Sequence, residues 1–157
     1  MHSFLVMALI ALQAFVVIFI ALHDWIPLGT LNNVRAVQSA DSTRKLVTVT
    51  VLSTSPFAVG LAATMSYAGS RFPQWLNWWL WISYGAALYG LIRAWWGPYL
   101  FYNEPARATR YQAMFSGTHA FLPIRNGIRP NTLHIGLHVV ILAIIGVLAL
   151  LNIYHAT

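Results

Sequence analysis

The sequence predicts an all-α fold: an integral membrane four-helix bundle, one domain over residues 1–157, with a short cytoplasmic amphipathic helix between the third and fourth spans. Three observations predict it. Apolar residues make up 59% of the 157 residues and charged ones only 8%, where a soluble domain carries roughly 25% charged residues. The apolar residues gather into four runs, at about 4–22, 46–66, 74–96 and 133–153, each close to the ~20 residues that cross a hydrocarbon core of ~30 Å. Nearly all charges fall between the runs.

The first run, "FLVMALIALQAFVVIFIAL", carries a single polar residue, Gln13. It lacks a basic segment before it and is longer than the apolar stretch of a secretory signal, so it reads as a retained first helix. The second, "LVTVTVLSTSPFAVGLAATMS", follows an Asp41-Ser42-Thr43 start signal. Pro56 frees a carbonyl one turn back, which Ser53, Thr54 or Ser55 is expected to satisfy. Gly60 and Thr64 form a small-xxx-small pair, which points to close helix packing.

The third run, "QWLNWWLWISYGAALYGLIRAWW", has Trp75, Trp78, Trp79 and Trp81 at one end and Trp95 and Trp96 at the other. Two aromatic belts around an apolar centre are expected at two membrane interfaces. Ala86 and Gly90 offer close packing, and Arg93 lies in the last turn. The fourth run, "LHIGLHVVILAIIGVLALLNI", is introduced by Pro130-Asn131-Thr132 and should begin near residue 132. Within the loop 97–132, "NEPARATRYQAMF" suggests an amphipathic helix over about 104–115, with Asn103 as its cap, Pro105 at its first position and Glu104 facing the positive end of its dipole. In "FLPIRNGIRPN", Phe121, Leu122 and Ile124 should be buried, with His119 capping that loop or joining the site.

Four spans put both termini and the 67–73 turn on one side, where Arg71 is the one Lys or Arg. Arg35, Arg44, Lys45, Arg107, Arg110, Arg125 and Arg129 lie on the other. Seven against one places loops 26–45 and 97–132 in the cytoplasm and the termini outside, in what is expected to be a bacterial cytoplasmic membrane. Among the histidines only His2 and His155 fall on the outer side.

The composition also limits function. Nine Lys/Arg against three Asp/Glu give a net charge of +6, yet no basic, aromatic-interleaved surface points to nucleic acid. Membrane lipids are the expected partners, with anionic head groups against the cationic loops. The chain has no cysteine, which excludes disulfides, thiolate nucleophiles, Cys-ligated zinc and iron–sulfur clusters. Small-residue stripes permit a homo-oligomer without requiring one.

Threading brings His23 and Asp24, Thr48 and Thr50, Arg93, and His134 and His138 to the cytoplasmic end. The two histidines are four residues apart and share a helix face. The first reading of this end is a site for an amphipathic, anionic or lipid-like ligand. Arg93, Arg125, Arg129 and Asn131 would bind it, and His134 and His138 would act as catalytic acid/base groups if it is transformed. A second reading is a small transporter or channel, for which Gln13, Ser83, Tyr84 and Asn152 are sparse, uncharged stepping stones. A third is a structural or assembly subunit, with its histidines bonded only to protein. The fourth is a divalent metal held by His134, His138, His23 and Asp24, or a haem between His23 and His134 or His138. Neither cofactor is favoured, and the missing HExxH glutamate argues against zinc-protease chemistry. Arg107 and Arg110 read as a solvated face.

Overall fold

The structure, a computed structural model, describes residues 2–156, with side chains placed up to Ile153. The side chain of His155 therefore lies outside the described residues. Helix α1 is His2–Leu22 and α2 is Val34–Ala40. Helix α3 is Thr43–Ser66 and α4 is Gln74–Leu91, which runs on through a π turn at Ile92–Trp96 into the short α5, Gly97–Leu100. Helix α6 is Pro105–Phe115 and α7 is Thr132–Ala156. The described residues are all-helical and hold no strand; one isolated backbone pairing joins Arg125 and Ile128.

Three segments, His2–Leu22, Thr43–Ser66 and Thr132–Ile153, are long and apolar enough to cross a membrane. The third expected span, at 74–96, is helical throughout but is not among them, because Gln74, Asn77 and its tryptophans dilute its hydropathy. Helix α1 packs against α3 and α7, and α4 packs against the same two, closing a cycle of four contacts. The centre holds Val6, Leu9 and Val16 of α1, Leu80 and Tyr84 of α4, and Ile141, Ile144 and Leu148 of α7. The outward faces are apolar too. Phe4, Met7, Ile18, Leu52, Val59, Leu142 and Ile153 are all exposed, as expected of helices that are hydrophobic all round.

Helix α3 starts on a cap, with the Ser42 hydroxyl accepting the Lys45 N–H at 3.3 Å. Gly60 and Thr64 are buried, and the Thr64 hydroxyl donates to the Gly60 carbonyl. A Cβ on Gly60 would stand 3.1 Å from Leu80 Cδ2 and 3.6 Å from Trp79 Cδ1, so glycine sets the approach of α3 to α4. Just above, the Trp79 indole donates to the Pro56 carbonyl at 3.0 Å. The serine expected to serve the carbonyl freed by Pro56 reaches a neighbour instead: the Ser55 hydroxyl donates to Val51, and the Thr54 hydroxyl is buried without a partner among the described residues.

The loop before α7 corrects two expectations. Phe121 and Ile124 are exposed, while Ile128 is fully buried against Trp95 and Tyr99. Asn126 and Gly127 both have positive φ, 50° and 74°, and Arg125 and Ile128 exchange both backbone hydrogen bonds across them. That is the Asn-Gly tight turn of a two-residue hairpin, and it turns Ile128 inward. Helix α6 has Pro105 at its first position as expected, but Glu104, not Asn103, precedes it as the cap residue.

Replacing Gly60 by leucine should force α3 from α4, costing about 1–3 kcal/mol as overpacked contacts do. The Gly60→Leu variant should melt lower than wild type in a thermal unfolding scan, and Val59→Leu, on the exposed face, should not. Equal melting of the two variants would mean that the helices are not in contact there.

Candidate functional site

The polar residues of the cationic end converge where α1 finishes, α3 begins, the π turn sits and α7 starts. His23 follows α1 directly. Its Nδ1 donates to the Phe19 carbonyl at 2.9 Å, its ring stacks on Phe19 with centroids 4.7 Å apart, and its Nε2 lies 3.2 Å from Asp24 Oδ1. Burial pushes the Asp24 carboxyl above the usual carboxylate range, and His23 beside it opposes that rise. The loop after it is stitched by Asn32, whose amide donates to the carbonyls of His23 and Ile26 at 2.6 and 2.8 Å. The Trp25 indole donates to Thr50 of α3 at 3.1 Å.

His134 occupies the third position of α7. The fully buried Asn131 caps that helix: its Oδ1 accepts the His134 backbone N–H at 3.0 Å and faces His134 Nδ1 at 2.6 Å. An oxygen that already accepts a backbone N–H can only accept again, so the imidazole hydrogen sits on Nδ1. The ring is enclosed by other rings: His23 at 5.9 Å, Trp95 at 4.6 Å and Phe115 at 5.0 Å between centroids. His138, one turn on, is buried and accepts the Trp96 indole N–H on Nδ1 at 3.0 Å. Its hydrogen is therefore on Nε2, which is buried and has no hydrogen-bond partner among the described residues.

Trp95 and Trp96 thus do not form the second interfacial belt that the sequence suggested. Trp95 is 5% exposed and lies against both histidines, while Trp75 and Trp78, at 52% and 61%, do face outward. The π turn explains why. The Gly97 N–H bonds to the Ile92 carbonyl, five residues back, and such a turn re-aims the side chains that follow it.

Of the expected ligand-binding groups, the three arginines are engaged away from the histidines, and Asn131 meets His134 as its helix cap. Arg93 is exposed and donates to the Tyr102 hydroxyl. Arg125 lies over the Tyr99 ring, 5.8 Å from its centroid. Arg129 is exposed at a cavity of about 200 Å³ walled by Tyr111, Phe115 and Thr118. Asn131 is used up in the structure itself, since its amide nitrogen approaches the Thr118 hydroxyl at 3.4 Å while its oxygen serves His134. His119 pins the loop rather than joining the histidines: its ring nitrogen meets the Thr132 hydroxyl at 2.7 Å and its N–H donates to the Thr30 carbonyl. The metal set His134, His138, His23 and Asp24 is likewise not assembled. Among the described residues no three His, Asp or Glu side chains are grouped to hold an ion, and His23 Nδ1, His134 Nδ1 and His138 Nδ1 are all engaged with protein.

Sequence reasoning missed a cavity at this end. It is a lateral cleft of about 570 Å³ between α3 and α4, lined by Ser53, Pro56 and Phe57 on one side and by Ser83, Ala86, Ala87, Gly90 and Ala94 on the other. Ile20, Leu137 and Ile141 form its back wall. The small residues at 83, 86, 87, 90 and 94 recur at helical spacing, the one signal that could have disclosed it. The α3–α4 contacts at Gly60, at the Trp79–Pro56 hydrogen bond and at the Phe57–Tyr84 ring pair border this cleft.

Comparison with protein-family models, curated proteins and solved structures gives no match.

Two outcomes follow. Replacing Asn131 by alanine removes a helix cap worth about 1 kcal/mol and leaves a buried imidazole N–H unpaired at about 1–3 kcal/mol. Its melting point should fall well below that of the exposed control Asn103→Ala. Asp24→Asn tests the half-buried carboxyl. Because the folded-state pKa of an acid is raised, its favourable contribution is complete below about 4 and is lost as pH rises through the raised value. The two proteins should melt together in acid, and the asparagine variant should gain on wild type as pH rises. A variant that instead loses ground at neutral pH would show that the His23 ion pair outweighs burial.

Proposed function

We propose that this chain is a four-helix membrane protein that binds an amphipathic anionic ligand at the cytoplasmic leaflet. The apolar tail would lie in the cleft between α3 and α4 and the anionic head beside Arg93. The observation that carries this reading is the cleft. It lies within the roughly 300–1,000 Å³ of small-molecule sites, its wall is apolar apart from Ser53 and Ser83, and its lining comes from helical segments with no loop residue, which favours a mouth between α3 and α4. In a bilayer a sideways opening faces lipid, so the occupant is a molecule already dissolved there.

Charge supports the same end. Seven of the nine Lys and Arg residues stand in the two longer loops, which by the positive-inside bias are cytoplasmic. An anionic head gains about 1 kcal/mol per nearby cation at such a surface. Arg93 is exposed and is the residue before Ala94, the last cleft residue on that wall. The reading assigns binding and no reaction, because each imidazole directs a ring nitrogen at a protein partner. Membrane insertion by four helices requires α4 to span despite its lower hydropathy; its packing between α3 and α7 and its outward Trp75 and Trp78 support that.

Displacement of a fluorescent fatty acid from the purified protein tests the proposal, with oleate and lysophosphatidylcholine as competitors. Oleate should compete better than the zwitterion. Ala86→Phe, which fills the cleft, should weaken both by tenfold or more, and Arg93→Gln should weaken oleate alone by several-fold. Unchanged binding in Ala86→Phe would remove the cleft from the account.

A further inference from the structure

We infer that the ligand of the α3–α4 cleft carries a neutral oxygen in its tail, as a hydroxyl or a carbonyl, roughly 15 Å from its anionic head by helical rise. Resting on the cleft as the ligand site, this narrows the ligand class to fatty acids oxygenated near the middle of the chain. Two hydroxyls carry it. A serine or threonine inside a membrane helix ordinarily returns its hydroxyl to the carbonyl four residues back, because hydrocarbon offers no other partner. In α3, Thr48, Ser55, Thr64 and Ser66 all do so. Ser53 of α3 and Ser83 of α4 do not: neither side chain has a hydrogen-bond partner among the described residues. Both line the cleft, Ser83 half-buried and Ser53 at the more exposed rim. The Thr54 hydroxyl, also without a partner among the described residues, is not part of that lining.

Helical spacing explains why these two serines share the cleft. Residues 53, 56 and 57 are three and four apart on α3, and 83, 86 and 87 repeat the spacing on α4, so each serine lies on the face that forms its wall. The same spacing gives their depth. Ser53 is ten residues beyond Thr43, the start of α3, and Ser83 is ten residues before Arg93. At about 1.5 Å per residue each hydroxyl is roughly 15 Å from the cationic end of its helix. Both therefore stand near the middle of a ~30 Å hydrocarbon core. A plain alkyl tail would leave the two hydroxyls unpaired where no water reaches, which is unfavourable. An oxygen on the tail at that depth removes the conflict: a carbonyl accepts from both serines, and a hydroxyl accepts from one and donates to the other. A charged group there is excluded by its cost in hydrocarbon. With the head beside Arg93, the match is an acid such as 12-hydroxystearate, whose hydroxyl lies at about that distance from its carboxylate.

Displacement of a fluorescent fatty acid from the purified protein by 12-hydroxystearate, 12-ketostearate, 3-hydroxystearate and stearate tests the assignment. The two 12-substituted acids should compete at least fivefold better than stearate. The 3-hydroxy acid, whose hydroxyl stays near the head, should compete no better than stearate. Ser53→Ala and Ser83→Ala should each reduce the preference severalfold while leaving stearate binding and the melting point as in wild type. Thr54→Ala, off the cleft, should keep the preference. Equal competition by all four acids, each weakened by Ala86→Phe, would overturn the tail oxygen and leave the cleft as a site for plain acyl chains. A preference that survives in both serine variants would overturn it as well. Failure of all four acids to compete, or competition that Ala86→Phe leaves intact, would remove the cleft itself and the tail oxygen with it.

Discussion

Pro98 has no N–H, so the carbonyl of Ala94, one helical turn before it, loses its ordinary donor. The chain meets that loss by widening into a π turn at Ile92–Trp96, and the Arg107 guanidinium approaches the Ala94 carbonyl at 3.5 Å. The ring cluster of the cationic end depends on this repair. The wider turn carries Trp95 into the ring cluster around His134 and sets the Trp96 indole on His138. It also brings Arg107, and with it α6, down onto the end of α4. A proline that would merely end a helix in isolation here decides which side chains face α7.

One ion pair lies within α6 and its cap, and a second ties the helix to the start of α3. Glu104 receives two hydrogen bonds from Arg107, at 2.9 and 3.2 Å, and Asp41 is shared by Lys45 and Arg110. Both carboxyls are held below the usual range: Glu104 by its bonds from Arg107, and Asp41 by those from Lys45 and Arg110. These pairs are at the surface, where screening leaves each worth little. Their role is geometric. Asp41 stands at the junction of α2 and α3, so the Arg110 contact ties the loop after α1 to the loop after α4. Asp24 is the counter-example among the three acids, with its pKa raised because burial outweighs the histidine beside it.

Where one local rule decides, the sequence foretold the structure closely. Pro130-Asn131-Thr132 places the start of α7 at 132 and Pro105 the first residue of α6, while the Asp41-Ser42-Thr43 signal holds the cap of α3, which begins at Thr43, three residues before the expected span. Where two rules compete, it did not. Tryptophans at a helix end read as an interfacial belt until the π turn redirects Trp95 and Trp96. Phe121 and Ile124 look more in need of burial than Ile128, but the Asn126-Gly127 turn fixes which side faces inward. Asn131 read as a ligand contact because a cap and a ligand group use the same amide, and only the Thr118 and His134 contacts distinguish them. The 26–45 segment read as polar loop, and the seven residues of α2 are too few for hydrophobic periodicity to reveal.

The i, i+4 spacing of His134 and His138 suggested that the two rings act together. In the structure their Nδ1 atoms have opposite roles, one donating to Asn131 and the other accepting from Trp96, so their free nitrogens differ as well: Nε2 is an acceptor on His134 and a donor on His138. A metal needs lone pairs from both rings at once, and on His138 the free nitrogen carries the hydrogen. Freeing His138 for coordination would require breaking the Trp96 bond and moving the proton. The two rings are separate contacts of the π turn, Trp95 lying against His134 and Trp96 bonding to His138, and the α3–α4 cleft is the better place for a ligand. There the decisive feature is the absence of side-chain bulk at 83, 86, 87, 90 and 94 rather than the presence of any reactive group.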